Sequence, residues 1–406
     1  ELRKNEKEVF DLIRKEESRQ INELELIASE NYVSKAVMET MASVLTNKYS
    51  EGYPGKRYYG GNACIDDVEI LAIERAKKLF GAEHVNVQPL SGSPANAAVY
   101  MAFLNPGDKV LGLKLDHGGH LSHGHPVNFS GVLYDFVQYE LDAETGRIDM
   151  EKVREIAIRE KPKMIVAGYS AYSREVEWER FKEIAYEVGA YTFADIAHTA
   201  GLIAGGIMKN PVPIFDVVST TTHKTLRGPR GAMIMCKEKY AKQVDRAVFP
   251  GMQGGPHDHI TASKAVAFRE ALQDDFRIYT KQVVKNAQTL AQEMISRGYK
   301  IISDGTDNHL FVVDLSSRGL AGKDAEEALE KVGISVSRST IPNDPNPPIN
   351  PSGIRIGTPA LTSRGMKETD MSDLADLLDE AINNKNLETI KNKVMEMCKR
   401  FPLPSL

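Results

Sequence analysis

The stretch Asp216-Val-Val-Ser-Thr-Thr-Thr-His-Lys-Thr-Leu-Arg-Gly-Pro-Arg-Gly231 holds the residues best suited to chemistry. Its apolar start, Phe215 to Val218, predicts a buried strand. Four hydroxyl residues follow, Ser219 to Thr222, then His223 and Lys224. A lysine at the end of a buried strand, beside hydroxyls and a glycine-rich basic turn, suits a Schiff-base lysine next to a phosphate. Pyridoxal phosphate (PLP) needs an amine to condense with its aldehyde and donors to hold its phosphate.

Asp195 and His198 stand in Tyr191-Thr-Phe-Ala-Asp-Ile-Ala-His198, with the aspartate at the carboxyl end of an expected strand. Open α/β sheets bind ligands at such ends. A carboxylate there can pair with a pyridine nitrogen or simply cap a helix. His198 either hydrogen-bonds a ring hydroxyl or satisfies a loop carbonyl. Ser91-Gly-Ser-Pro-Ala-Asn96 leads small residues into an expected helix, where backbone N–H groups can meet an anion. No GxGxxG or GxxxxGK[ST] pattern is present, which argues against a dinucleotide or nucleoside-triphosphate site.

Asp116-His-Gly-Gly-His-Leu-Ser-His-Gly-His125 gathers four histidines on a glycine-rich loop. Histidine clusters can bind zinc, but the HExxH spacing is missing and no metal is expected. A ring stacked on a pyridine face, with His120 as candidate, suits the loop better. Glu51-Gly-Tyr-Pro-Gly-Lys-Arg-Tyr-Tyr-Gly-Gly61 supplies a carboxylate and the phenols Tyr58 and Tyr59, all usable as general acids or bases. Arg355, in Ser352-Gly-Ile-Arg-Ile-Gly-Thr358, can bind an amino-acid carboxylate through two parallel hydrogen bonds.

These residues need elements to hold them. The pattern predicts strands at 110–113, 164–167, 191–194 and 217–221, and helices at 66–80 and 178–188 closed by Gly81 and Gly189. Alternation of strands and helices implies βαβ units and a mostly parallel sheet. The segment 233–235 follows Lys224 too closely for a helical crossover, so antiparallel pairing is expected there. Residues 258–297 read as one long helix or two joined ones. Beyond them, a strand at 310–315, a helix near 323–332 and two final helices imply a smaller α+β unit. An amphipathic helix over 4–19, with Val9, Leu12 and Ile13 on one face, could pack on a partner subunit.

The chain has 406 residues, with 42% hydrophobic and 26% charged, as expected of a globular protein. A net charge of −5 gives no electrostatic case for nucleic acid or an anionic membrane. No apolar run reaches the ~20 residues of a membrane span. The polar start, Glu1-Leu-Arg-Lys, is unlike a signal peptide, and the missing methionine suggests a trimmed chain. Cys64, Cys236 and Cys398 lie far apart, which suits a reducing, cytoplasmic location.

The chain resembles serine hydroxymethyltransferases of bacterial type. The likeness rests on the Lys224 stretch together with Glu25-Leu-Ile-Ala-Ser-Glu-Asn31, Leu45-Thr-Asn-Lys-Tyr49, Pro126-Val-Asn-Phe-Ser-Gly131, Phe249-Pro-Gly-Met-Gln-Gly-Gly-Pro256 and Gly305-Thr-Asp-Asn-His-Leu310. It implies an α/β fold, the fold-type I (aspartate aminotransferase-like) class of PLP-dependent transferases, with a mostly parallel large domain and a smaller α+β domain. The expected units are an N-terminal arm with dimer contacts (1–51), a PLP-binding domain (52–280) and a C-terminal domain (281–406).

The resemblance also implies site roles. Lys224 bonds PLP covalently, Asp195 pairs with the pyridine nitrogen, and His198 and Ser170 lie at the ring oxygen. His120 stacks on the ring. Ser91, Gly92 and Ser93 hold the phosphate, with Tyr49 and Gly255 from the partner of a homodimer. Ser29, His198 and Arg355 hold the amino acid, Glu51 and Tyr59 of the partner serve proton transfers, and Leu115 and Gly119 meet tetrahydrofolate. The implied reaction moves the hydroxymethyl group of serine to tetrahydrofolate, leaving glycine. A folate-independent aldolase of 3-hydroxy amino acids, like threonine aldolase, is the alternative. One departure stands out: Ser337-Arg-Ser339 replaces the Asn-Lys-Asn that many bacterial members carry before Thr-Ile-Pro.

Overall fold

The structure, a computed structural model, describes residues 1–404. Helix α1 (Lys7–Asn22) carries no buried residue, and its Val9, Leu12 and Ile13 are all exposed. Helix α2 (Ala63–Phe80) ends on Gly81 at φ 68°, the left-handed cap that glycine adopts without strain.

A seven-stranded sheet follows. Its strands are β1 (His84–Asn86), β2 (Lys109–Leu113), β3 (Asp135–Tyr139), β4 (Met164–Gly168), β5 (Tyr191–Asp195), β6 (Val217–Thr221) and β7 (Ala232–Cys236), in the order β1-β7-β6-β5-β4-β2-β3. Pairing is parallel from β3 through to β6, and β7 is antiparallel to both β6 and β1. The expected antiparallel pairing after Lys224 is therefore present. Strands β4, β6 and β7 are buried at every position, as strands covered on both faces must be. The covering helices include α3 (Gly92–Phe103), α4 (Met150–Glu160) and α5 (Trp178–Val188). In α5 the 3.6-residue period turns Trp178, Phe181, Ile184 and Ala185 onto the sheet.

The segment 258–297, read from sequence as one long helix or two joined ones, forms two helices, α6 (Asp258–Ala271) and α7 (Asp274–Ser296). Helix α7 serves two cores. Its Phe276, Tyr279 and Val283 pack with the large sheet, whereas Leu290, Ala291 and Met294 pack in a second core. The position between 280 and 281 thus falls inside one continuous helix. The second core surrounds a four-stranded antiparallel sheet of β8 (Lys300–Ile301), β9 (Leu310–Asp314), β10 (Ser337–Ser339) and β11 (Gly353–Gly357), ordered β8-β9-β11-β10. Helices α8 (Gly322–Glu330), α9 (Met371–Ile382) and α10 (Leu387–Arg400) complete it. No helix among the described residues is long and apolar enough to cross a membrane.

Candidate active site

The parallel strands all end on one side of the large sheet, and the loops leaving them open a cavity of about 410 Å³. Asp195 is the last residue of β5. Lys224 lies three residues beyond β6. Ser170 follows β4, whose Gly168 (φ 154°) leaves room for the backbone of Asp195; a Cβ there would fall 2.4 Å from its carbonyl oxygen. Ser91, Gly92 and Ser93 enter from the start of α3, and His120 from the histidine-rich loop. The second core contributes Arg355 from the middle of β11, where the buried Ile354 and Ile356 turn it to the opposite face. Ser29 arrives from the N-terminal segment, which Leu26 fastens to β11 by accepting a hydrogen bond from the Gly357 N–H at 2.8 Å.

Asp195 is the best-held charge in the cavity. Oδ2 accepts from Asn96 Nδ2 at 2.8 Å and lies 3.0 Å from His123 Nε2; Oδ1 accepts from the Ala197 N–H at 3.0 Å. Burial alone would raise its pKa. The bond and charge of His123, with smaller help from His120 and Asn96, outweigh burial and hold the carboxyl well below the usual range. Asp195 is therefore ionised at neutral pH.

The cations opposite lack such partners. Lys224 makes no hydrogen bond or ion pair through Nζ among the described residues. Burial is the main cause of its lowered pKa, about 8; Asp195 opposes this, while Arg355 and Arg230 add to it. Arg355 donates from Nη1 to the Ser170 carbonyl at 2.6 Å, but among the described residues its buried Nε has no partner and no carboxylate pairs with it. Burial pulls its pKa down to about 10. His120 is brought to about 4, chiefly by burial and then by His123, so its ring is neutral. Its Nδ1 lies 2.6 Å from Ser122 Oγ, which fixes the ring plane. His198 is also neutral, through burial and the nearby Lys224 and Arg355 charges.

Ten of the expected residues thus share one cavity: Ser29, Ser91, Gly92, Ser93, His120, Ser170, Asp195, His198, Lys224 and Arg355. Six do not line it. Tyr49, Glu51, Tyr59 and Gly255 make a separate cluster on the same chain. Tyr49 Oη lies 3.4 Å from Glu51 Oε1, the Tyr49 and Tyr59 rings meet edge-on at 5.1 Å, and Gly255 packs on Tyr49. Leu115 and Gly119 lie in the turn that leads to His120.

Asn96 and His123, which bind Asp195, were not expected in the site. For Asn96 the available signal was a polar residue inside an otherwise apolar helix. His123 was indistinguishable in sequence from its neighbouring histidines. His120, His123 and Asp195 also place donor atoms within 4.8 Å of one another, but the His123–Asp195 bond already occupies two of them.

These features fit PLP. The N-terminal turn of α3 has no side-chain cap on its N–H groups, leaving donors for a phosphate. An amine without partners among the described residues shares the cavity with an ionised carboxylate, the two groups that an aldehyde and a pyridine nitrogen call for. Fold and site together define a fold-type I PLP-dependent enzyme. A family model described as serine hydroxymethyltransferase matches residues 2–378, and the chain belongs to that family. Membership implies PLP-dependent hydroxymethyl transfer between serine and glycine, with a folate co-substrate.

Proposed function

We propose that the chain catalyses reversible transfer of the serine hydroxymethyl group to tetrahydrofolate, giving glycine and 5,10-methylene-tetrahydrofolate, as a cytoplasmic homodimer. The observation that carries this reading is the set of charges in one cavity. Among the described residues Lys224 and Arg355 lack carboxylate partners, and Asp195 is held ionised by Asn96 and His123. A guanidinium with an unpaired Nε, in one cavity with an unpaired amine, suits an amino acid, whose carboxylate Arg355 would clamp with help from Ser29.

PLP bound here supplies an electron sink for the bond that breaks at the amino acid's α-carbon. Lys224 would hold it covalently, Asp195 would keep its ring nitrogen protonated, and Ser91, Gly92 and Ser93 would hold its phosphate. The neutral His120 ring can lie against the pyridine face without adding charge. His198 and Ser170 would meet the ring oxygen.

Glu51 and Tyr59 would move protons at the hydroxymethyl group, and Tyr49 and Gly255 would complete the phosphate site, all from the partner subunit. Two observations support a dimer. The Glu51 cluster does not line its own chain's cavity, and an apolar face of α1 is exposed. Leu115 and Gly119 would border the pteridine.

The test is the rate of glycine formation from serine with and without tetrahydrofolate. An increase of at least about tenfold (~1.4 kcal/mol) on adding folate is expected. A rate indifferent to folate would instead identify an aldolase.

A further inference from the structure

Lys264, on helix α6, is 2% exposed. Its Nζ donates to three backbone carbonyls, those of Val87 at 2.6 Å, Ala232 at 2.8 Å and Pro89 at 3.1 Å. An ammonium has three N–H donors, and each is used. A neutral amine has two, and would leave one carbonyl facing a lone pair. No carboxylate among the described residues pairs with Lys264, and Glu69, the nearest acidic influence, is bound to Arg57 at 2.7 Å. Burial lowers the lysine's pKa to about 7, with Glu69 opposing. A buried ammonium without a counter-ion is costly, which the three carbonyl bonds partly offset.

What the ammonium joins explains its presence. Val87 and Pro89 lead directly into Ser91-Gly92-Ser93. Ala232 opens β7 just after Arg230 and Gly231, the end of the turn that begins at Lys224. The Ala232 N–H also donates to the Pro89 carbonyl, at 3.1 Å. Gly231 keeps space for the lysine, since a Cβ there would fall 2.6 Å from Lys264 Cε. One side chain thus ties the approach to the phosphate cradle to the exit from the lysine turn.

We propose that Lys264 is a positioning residue for the cofactor phosphate, setting the Ser91–Ser93 cradle against the Lys224–Arg230 turn. This rests on the reading of Ser91–Ser93 as the phosphate cradle.

The test compares PLP with pyridoxal, which has the same ring and aldehyde but no phosphate. Equilibrium binding of each is measured on the apo form of the full chain and of Lys264→Met, whose side chain has similar length and no charge. In Lys264→Met, PLP binding should weaken about tenfold or more, and pyridoxal binding less than about threefold. A folded Lys264→Met chain with the wild-type preference for PLP overturns the proposal, and so does equal weakening of both ligands. Should Lys264→Met fail to fold, Gly231→Ala decides. It keeps the charge but displaces the side chain, and the same selective loss is expected; an unchanged preference overturns the proposal. A wild-type chain that binds neither ligand would contradict the PLP reading itself, independently of Lys264.

Discussion

His123 Nε2 lies 3.0 Å from Asp195 Oδ2, and this contact fastens the histidine-rich loop to the carboxyl end of the central sheet. Asn96 completes the grip from α3 at 2.8 Å. A carboxylate bonded from two sides keeps both its ionisation and its orientation, the two properties needed to hold a pyridine nitrogen protonated.

Replacing His123 by Leu should therefore lower kcat about tenfold or more, the worth of one hydrogen bond to a charged group at ~1.5–3 kcal/mol. Without its largest lowering partner, Asp195 should titrate at higher pH, so the acid limb of the kcat profile should move upward. A profile that coincides with wild type would remove His123 from this role.

Lys224→Ala should lose both covalent retention of PLP and steady turnover. Borohydride reduction followed by peptide mass analysis checks the first. A full-stoichiometry adduct on the Lys224→Ala chain would refute the assignment.

Lys224 also predicts a pH dependence of the apo chain. Its folded pKa, about 8, is below its ordinary 10.5. Between these values the unfolded chain holds a proton that the folded chain has shed, so this group makes stability rise with pH across that window. Below about pH 8 the charged amine is a burden of up to roughly 3 kcal/mol. Apo Lys224→Met should thus melt above apo wild type at pH 7, and the difference should shrink toward pH 10. A gap independent of pH would mean that the amine is not destabilised by burial.

Arg355→Ala should weaken serine binding by about 2–4 kcal/mol, raising KM far more than it lowers kcat. No internal carboxylate loses a partner, so the melting temperature should hardly change. An unchanged KM would mean that the guanidinium does not meet the substrate carboxylate.

Much of this site was legible because its parts are local. Lys224, Asp195 and Ser91 each follow a short apolar run or open a helix, and the strand-end rule brings such residues to one edge. Arg355 could be read from its flanking isoleucines. Other parts depend on distant packing. Nothing in the loop sequence distinguishes His123 from His117 or His125, because the bond to Asp195 exists only once the loop folds back. The period of α7 predicts a helix but not that one end belongs to each core. Strand β3 gives little sequence signal because it lies at the sheet edge, partly exposed, and lacks the continuous apolar run of β4. Lys264 carries no sequence signal within its helix, since its meaning comes from three carbonyls supplied by segments far away in sequence.

The split between the cavity and the Glu51 cluster makes a prediction about assembly. Lys224→Ala and Glu51→Gln chains should each be inactive as homodimers. Mixed by unfolding and refolding together, they should regain up to about a quarter of wild-type activity, because half the random dimers carry one intact site of two. No recovery in verified mixed dimers would place Glu51 in the site of its own chain, and an active Glu51→Gln homodimer would place it outside catalysis.

The most direct test of the central claim follows the carbon atom itself. Serine labelled at its β-carbon is incubated with the PLP-loaded enzyme and tetrahydrofolate, and the label is traced. Label in the methylene bridge of the folate product, one for each glycine formed, is the predicted result. Label released as free formaldehyde at a rate that folate does not change would contradict it.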